Sequence, residues 1–453
     1  MAKKQVDINE EEYDDSAPVE YSTDYSTRMR TGMPTIDIIT TTPDSELRKL
    51  TYDEFMKDPM QIFKRSVSGL SIGCAVMLIG NSGFGKTTLA SNISGGMIKT
   101  SKAKVIYYQT EAGAIDEGRI CDAMGIDASQ MYVSKNGDIT QALLDKYTVI
   151  VIPPEIASVE HLKMIELRVA EASLVREKIR VKSTRGDITM VDAPIIWLVD
   201  SITSITTIER DERNQKVAES NKVKDAEALN QEDLKIGKAF KDYLDVCSRH
   251  WVKSNFVHFF LAHKGEKSTM GGMPPVREFK NMKNTDTWKG PKKTPFYCGL
   301  VLSGTRFTET KTEKIAEKLG EAANDGINYN SITAWSIIKN RLGPDVAETT
   351  LDFVHEIKYG VLADKSFMMM LMDNPLMSVC DLKGSMYTTK YYVKPDGSPK
   401  AFYLKNFSSL FSEDADFRTA VFKRLGEKYF GKWCFSNYNR STIMDLVDSV
   451  FDF

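Results

Sequence analysis

The chain has no cysteine pair spaced as CxxC and no HxxxH among its five histidines; its six cysteines stand singly at 74, 121, 247, 298, 380 and 434. That scatter predicts neither a disulfide framework nor a structural zinc site. Apolar runs are short throughout, and none approaches the roughly 18 residues of a membrane-spanning helix. The opening MAKKQVDINEEE has no apolar core of the kind a secretory signal carries. A soluble cytoplasmic protein without a membrane partner is therefore expected. Net charge is also nearly missing, with 60 basic against 62 acidic residues, so any attraction to nucleic acid must come from a local patch. No internal repeat is visible.

What is present is enough chain, 453 residues with 42% hydrophobic, for one large α/β domain of about 250 to 300 residues with additions. Between Asp7 and Asp24 there are eight acidic residues and no basic one, too little apolar surface to order by itself. Residues 1–30 are read as a disordered acidic arm, a solubilising tail or an arm that docks on a partner or competes with DNA. Residues 31–75 form a lead-in that closes on SGLSIG. Strand-like runs follow at Ala75 to Ile79, Lys104 to Gln109, Pro194 to Val199, Phe256 to Ala262 and Gly299 to Ser303. Between them Ile236, Phe240, Tyr243, Leu244, Cys247 and Trp251 recur at helical spacing. Such alternation predicts an α/β fold with a mostly parallel central sheet flanked by helices over residues 76–375. Polar stretches at 207–233 and 264–295 read as long loops, and the aromatic, turn-rich residues 376–453 as a small C-terminal domain.

Gly80, Asn81, Ser82, Gly83, Phe84, Gly85, Lys86 and Thr87, with Thr88 following, match GxxxxGK[ST] between an apolar strand and the helix-compatible TLASNISGGMIK. In that context the glycines let backbone N–H groups cradle phosphate, Lys86 neutralises the β/γ charge and Thr87 offers its hydroxyl to Mg²⁺. The strand Pro194 to Val199 runs into Asp200, the expected Mg²⁺-side acid. Glu111, in TEAG after the second strand, is a candidate to orient the attacking water, the alternative being a solvated loop glutamate. His263 ends a strand and is a candidate γ-phosphate sensor, or simply structural. Residues 264–295 hold eight basic and three acidic residues. Lys264, Lys267, Gly271, Gly272, Arg277, Lys280, Lys283, Lys289, Lys292 and Lys293 are the expected DNA-binding set, with Phe279 and Trp288 as exposed-loop aromatics for stacking. A plain solvated face is the competing reading.

Taken in order, these residues resemble RecA-type recombinases, with the likeness strongest toward phage-encoded UvsX-type recombinases. It runs from about residue 31 to 430 through TIDI, SGLSIG, the phosphate loop, TEAG, MGIDASQMYV, LVDSI, LAHKGEK, IIKNR, EIKYGVLADKSFMMMLMD and SLFSEDADFRTAVFKRLG. The resemblance implies a RecA-like P-loop ATPase core with an oligomerisation segment in the lead-in. It implies Glu111 as catalytic carboxylate, His263 as sensor, 207–233 and 264–295 as DNA-facing loops, and Lys339 with Arg341 as cations that reach ATP from the neighbouring subunit. Those two alternate along a strand end and so point the same way. The cofactors implied are ATP and Mg²⁺. The partners implied are single-stranded DNA, homologous duplex and further copies in a helical filament, with a mediator and a single-strand-binding protein as accessories, in the host cytoplasm for a phage-encoded chain.

The chain departs from that pattern in an insertion at Pro43 to Ser66, in both long loops, and around Ser134 to Val151. The expected activity is DNA-dependent ATP hydrolysis driving strand exchange in recombination and repair. The alternative is a DnaB-type hexameric helicase, since IIKNRLGP also resembles the segment that carries the trans-acting finger there. A non-enzymatic ATP-gated DNA scaffold is a third expectation.

Overall fold

A computed structural model of the chain describes residues 27–431 except 112–116, 173, 211–225, 267–278, 280–281, 283–284, 310–330, 345–348, 357–359, 375, 385 and 404–405; for 226–234, 307–309, 373 and 408 it describes backbone alone. The acidic arm expected at 1–30 lies outside the described residues up to position 26.

The end of that span is corrected by the structure, since Thr27–Met29 forms the strand β1, held by pairing with strands on either side; the lead-in contributes three short strands, β2 (Thr42–Pro43), β3 (Ser66–Val67) and β4 (Leu70–Ser71). The core adds β5 (Ala75–Gly80), β6 (Lys104–Gln109), β7 (Met131–Val133), β8 (Val149–Ile152), β9 (Lys178–Ser183), β10 (Ile188–Asp192), β11 (Ile195–Asp200) and β12 (Phe256–Glu266). After these come β13 (Asp286–Trp288), β14 (Leu300–Glu309), β15 (Ser331–Asn340), β16 (Thr350–Glu356), β17 (Gly360–Val361), β18 (Asp381–Lys383) and β19 (Met386–Thr388).

An 11-stranded sheet runs β17-β16-β15-β14-β5-β12-β11-β6-β8-β7, with β13 hanging on β12. From β14 to β7 every pairing is parallel; from β14 to β17 it is antiparallel. The central strands are near-continuous apolar runs, aliphatic in β5 and β8 and mixed with aromatics in β6, β11 and β12, because both faces are covered. Alternate residues feed two cores: Val76, Leu78, Val105, Tyr107, Ile196 and Leu198 enter one, and Ala75, Met77, Ile79, Ile106, Tyr108 and Trp197 the other. The second is roofed by the helix Ala226–Trp251, whose Ile236, Phe240, Tyr243, Leu244, Cys247 and Trp251 are all buried, as their spacing predicts. Beneath that roof Glu166 of the helix Val159–Glu171 accepts from Tyr243 and Trp251, both at 2.6 Å, and meets His258 at 3.1 Å.

A separate four-stranded sheet, β10-β9-β1-β4, joins the lead-in to the hairpin β9–β10. The helices Phe407–Glu413 and Ala415–Leu425 share a hydrophobic cluster with Phe55 and Ile62 of the lead-in. Among the described residues no helix is long and apolar enough to cross a membrane.

Both stretches expected as polar loops contain regular structure among the described residues. The helix Ala226–Trp251 begins inside the first. In the second, β12 continues through His263 to Glu266, because Lys264, Gly265 and Glu266 find ladder partners in Trp288, Thr287 and Asp286.

Candidate nucleotide site

β5 ends at Gly80, and the chain turns back so that the helix Lys86–Ser101 begins with Gly85 as its cap. The turn takes φ of 72° at Gly83 and 81° at Gly85, a conformation glycine adopts without cost. At Gly85 space is short as well, since a β-carbon would come within 3.0 Å of the His355 ring. Asn81, Ser82 and Gly83 are exposed at the crest and Thr88 is half-buried in the helix behind. The helix start aims unpaired N–H groups and the positive end of its dipole at the loop.

Lys86 is buried, with Nζ donating to Gly80 O at 3.1 Å and Asn81 O at 2.9 Å. Burial lowers its pKa, while Asp200 and Glu111 pull the other way. The Phe84 ring does not face the loop's ligand side. It is buried edge-on against Trp335 at 5.1 Å, in space that Gly304 leaves open, so Phe84 has only backbone to give the cradle.

Parallel register brings the acids to the same edge. In the sheet His263 lies level with Gly80, and Asp200 with Leu261 and Gln109. Ligands collect at such carboxyl ends, where the crossover from β5 to β6 and the return to β12 diverge. Asp200 Oδ2 accepts from Thr87 Oγ1 at 2.6 Å and from Tyr107 OH at 3.0 Å. Burial raises its carboxyl, partly offset by the Thr87 hydroxyl. Glu111 Oε1 accepts from Ser201 Oγ at 2.6 Å and Ser204 Oγ at 3.2 Å and lies 2.9 Å from His263 Nε2. Burial alone would raise the Glu111 carboxyl, but these partners outweigh it and hold it below the usual glutamate range.

His263 is tied onward into the second loop. Its N–H donates to Thr203 Oγ1 at 2.8 Å, its carbonyl accepts from Lys289 N at 2.8 Å, and Thr203 Oγ1 donates to Lys289 O at 3.0 Å. A shift at Glu111 therefore meets the basic segment through two short bonds.

The structure corrects the expected stacking aromatics. Trp288 is buried, its Nε1 donating to Pro291 O at 3.3 Å, and Phe279 is half-buried with its ring 6.0 Å away. The strand β13 turns this tryptophan into the core that the polar sequence around it disguises. Lys264 pairs with Asp286 at 2.9 Å, and Lys292 donates to Thr287 Oγ1 at 2.6 Å and Trp288 O at 2.8 Å. Lys289 and Lys293 are exposed. Lys267, Gly271, Gly272, Arg277, Lys280 and Lys283 lie outside the described residues.

Lys339 and Arg341 do converge. Lys339 Nζ donates to Pro295 O at 2.5 Å and Phe296 O at 3.3 Å, and Arg341 Nη1 reaches Phe296 O at 3.5 Å. Burial, aided by Arg341, pushes Lys339 down to about 8. Arg341 N donates to Gly299 O and Gly299 N to Ala75 O, so the pair stands level with the start of β5, while the loop leaves from its end. That offset is about 16 Å at the usual rise of roughly 3.3 Å per strand residue.

Sequence reasoning missed Tyr107, Ser201, Thr203, Ser204 and His355. The serines follow Asp200 directly in DSITS, which was the available signal; Tyr107 had none beyond a hydroxyl inside a buried strand. Fit to a nucleotide and Mg²⁺ rests on this chain's own features: the positive-φ cradle, an ammonium bonded among the described residues to loop carbonyls, and a hydroxyl–carboxylate pair at 2.6 Å.

A family model described as Ethanolamine utilisation - propanediol utilisation, PduV-EutP, matches residues 74–212, less than a third of the chain. No curated protein matches. The matched stretch contains the loop, Glu111 and Asp200 and stops before His263. Family match and loop geometry agree that this chain carries the core of a P-loop nucleoside triphosphatase, a nucleotide-hydrolysing enzyme.

Proposed function

We propose that the chain is an ATP-dependent DNA strand-exchange recombinase of the RecA type, polymerising on single-stranded DNA with nucleotide held between adjacent copies. The observation that carries the reading is the pair Lys339 and Arg341. Two converging cations at the end of the sheet remote from their own phosphate loop cannot serve that loop, and in a head-to-tail assembly they would serve the next copy's.

In this reading the loop amides, Lys86 and Thr87 bind and orient the triphosphate. Mg²⁺, seated by Thr87 and Asp200, would supply charge neutralisation at the transferring phosphoryl group. Glu111 orients the attacking water: its three hydrogen-bond partners among the described residues all sit on Oε1, and Oε2 is the atom to which that water donates. His263 contacts Glu111 on one side and the backbone of Lys289 on the other, which supports a sensor that passes the nucleotide state to a DNA-facing segment. Tyr107 holds Asp200 in place.

A DnaB-type hexameric helicase also uses cations in trans, so assembly geometry separates the two. Electron microscopy with ATP and single-stranded DNA should show continuous helical filaments. Closed rings would transfer the trans cations to the helicase reading.

A further inference from the structure

Thr110 stands between the last residue of β6 and Glu111. Its main chain extends the pairing of β6 with β11, Thr110 N donating to Asp200 O at 2.8 Å. Its hydroxyl makes two bonds that a ladder does not require. Oγ1 accepts from Ser201 N at 2.6 Å and donates to Ser201 O at 2.7 Å. One side chain thus pairs both main-chain polar groups of Ser201, which is fully buried. Buried groups of that kind are costly to leave unpaired, so the hydroxyl fixes the direction the chain takes beyond Asp200.

The turn held in this way aims two hydroxyls at Glu111. Ser201 O also accepts from Ser204 N at 3.2 Å. Ser201 Oγ and Ser204 Oγ then donate to Glu111 Oε1 at 2.6 and 3.2 Å. The bonds close a ring: Thr110 sets Ser201, Ser201 sets the carboxylate, and the carboxylate belongs to the residue that follows Thr110. Asp200, whose Oδ2 takes the Thr87 hydroxyl, joins the same ring through its carbonyl. A carboxylate on a long side chain otherwise samples several rotamers, and a ring of short bonds in a half-buried site removes that freedom. His263 meets Oε1 as well, at 2.9 Å, but from β12, so it cannot replace the link between β6 and β11.

We infer that Thr110 is a positioning residue for nucleotide hydrolysis. Through the main chain of Ser201 it holds the Glu111 carboxylate against Asp200, with Oε2 turned to the attacking water, and it takes no part in binding nucleotide. Its hydroxyl bonds go to Ser201, and among the described residues none reaches the phosphate loop. The inference rests on the reading of Glu111 as the residue that orients that water.

Thr110→Val keeps the branched β-carbon and removes the hydroxyl. ATP turnover by the full-length protein should fall about 10²-fold, the cost that a misplacement of about 1 Å can carry. KM and the affinity for AMP-PNP should change by less than about two-fold, since only transition-state stabilisation is lost. Thr110→Ser returns the hydroxyl and should recover turnover to within about five-fold of wild type. A purely structural role would cost the same in any background, so a cycle with Glu111→Gln separates the two. In single-turnover measurements Thr110→Val should add less than about two-fold to the loss that Glu111→Gln already causes, because both act through one carboxylate. Thr110→Ala carries the same expectations should the valine protein not fold. The inference is overturned if these variants turn over like wild type while Glu111→Gln does not, or if binding weakens as much as turnover. It is overturned equally if serine restores nothing or if the losses multiply in the double variant. Wild-type turnover by Glu111→Gln alone would remove the reading of Glu111 and the inference with it.

Discussion

Removing Lys339 and Arg341 together isolates the trans arrangement, because both side chains end on carbonyls about 16 Å in sheet level from their own loop. Lys339→Ala with Arg341→Ala should cost the fold little, since the bonds lost are to the Pro295 and Phe296 carbonyls and each is worth about 1 kcal/mol net. Binding of nucleotide by the monomer should stay nearly intact. DNA-stimulated hydrolysis should fall by about 10³-fold or more, the usual worth of a trans-acting arginine, equivalent to about 4 kcal/mol at the transition state. Cooperative assembly should fail with it. The deciding assay mixes this variant with Lys86→Ala, which has a defective loop and intact cations. Each parent is inactive, but an interface is whole whenever the loop comes from the first and the cations from the second. Random mixing at equal amounts makes that about a quarter of interfaces, so DNA-stimulated turnover should recover to at most about a quarter of wild type. No recovery in co-assembled mixtures, or full activity of the double alanine protein alone, would refute the arrangement.

Glu111→Gln should keep nucleotide binding and lose most turnover, holding the protein on DNA in the triphosphate state; hydrolysis at the wild-type rate would remove Glu111 from the chemistry. Tyr107→Phe removes only the hydroxyl that donates to Asp200 at 3.0 Å, so melting should be nearly unchanged while the Mg²⁺ concentration for half-maximal turnover rises about ten-fold; an unchanged Mg²⁺ titration would make the hydroxyl incidental. His355 is buried beside Gly85 with Nε2 2.7 Å from Thr333 Oγ1, and burial pushes it down to about 4. Because its folded pKa is depressed, the unfolded chain binds the extra proton between about 6.5 and 4, and stability is lost as pH falls through that window, by about 3 kcal/mol. Denaturant titrations of wild type and His355→Gln across that range should differ by this slope, and identical slopes would show that His355 does not stay neutral in the fold.

How much of this was legible in the sequence depended on how local the information is. The phosphate loop could be read because its glycines, lysine and threonine act within eight consecutive residues, Gly80 to Thr87, between a strand and a helix that their own apolar patterns announce. The buried strands and the face Ile236 to Trp251 were equally visible, since periodicity is set by backbone geometry. Candidates such as Glu111, Asp200 and His263 could be picked one at a time as strand-end polar residues. Their meeting could not, because it follows from the order β12-β11-β6, in which segments distant in the chain become neighbours. The same non-local pairing buried Trp288 through β13, tied Lys264 to Asp286, and set Arg28 against Lys182 across β1 and β9. It also put Lys339 and Arg341 at the wrong end of the sheet for their own loop. Local sequence determined which chemistry the chain owns; long-range packing decided which of those groups face one another and which stand apart, because strand order joins segments that are far apart in the chain.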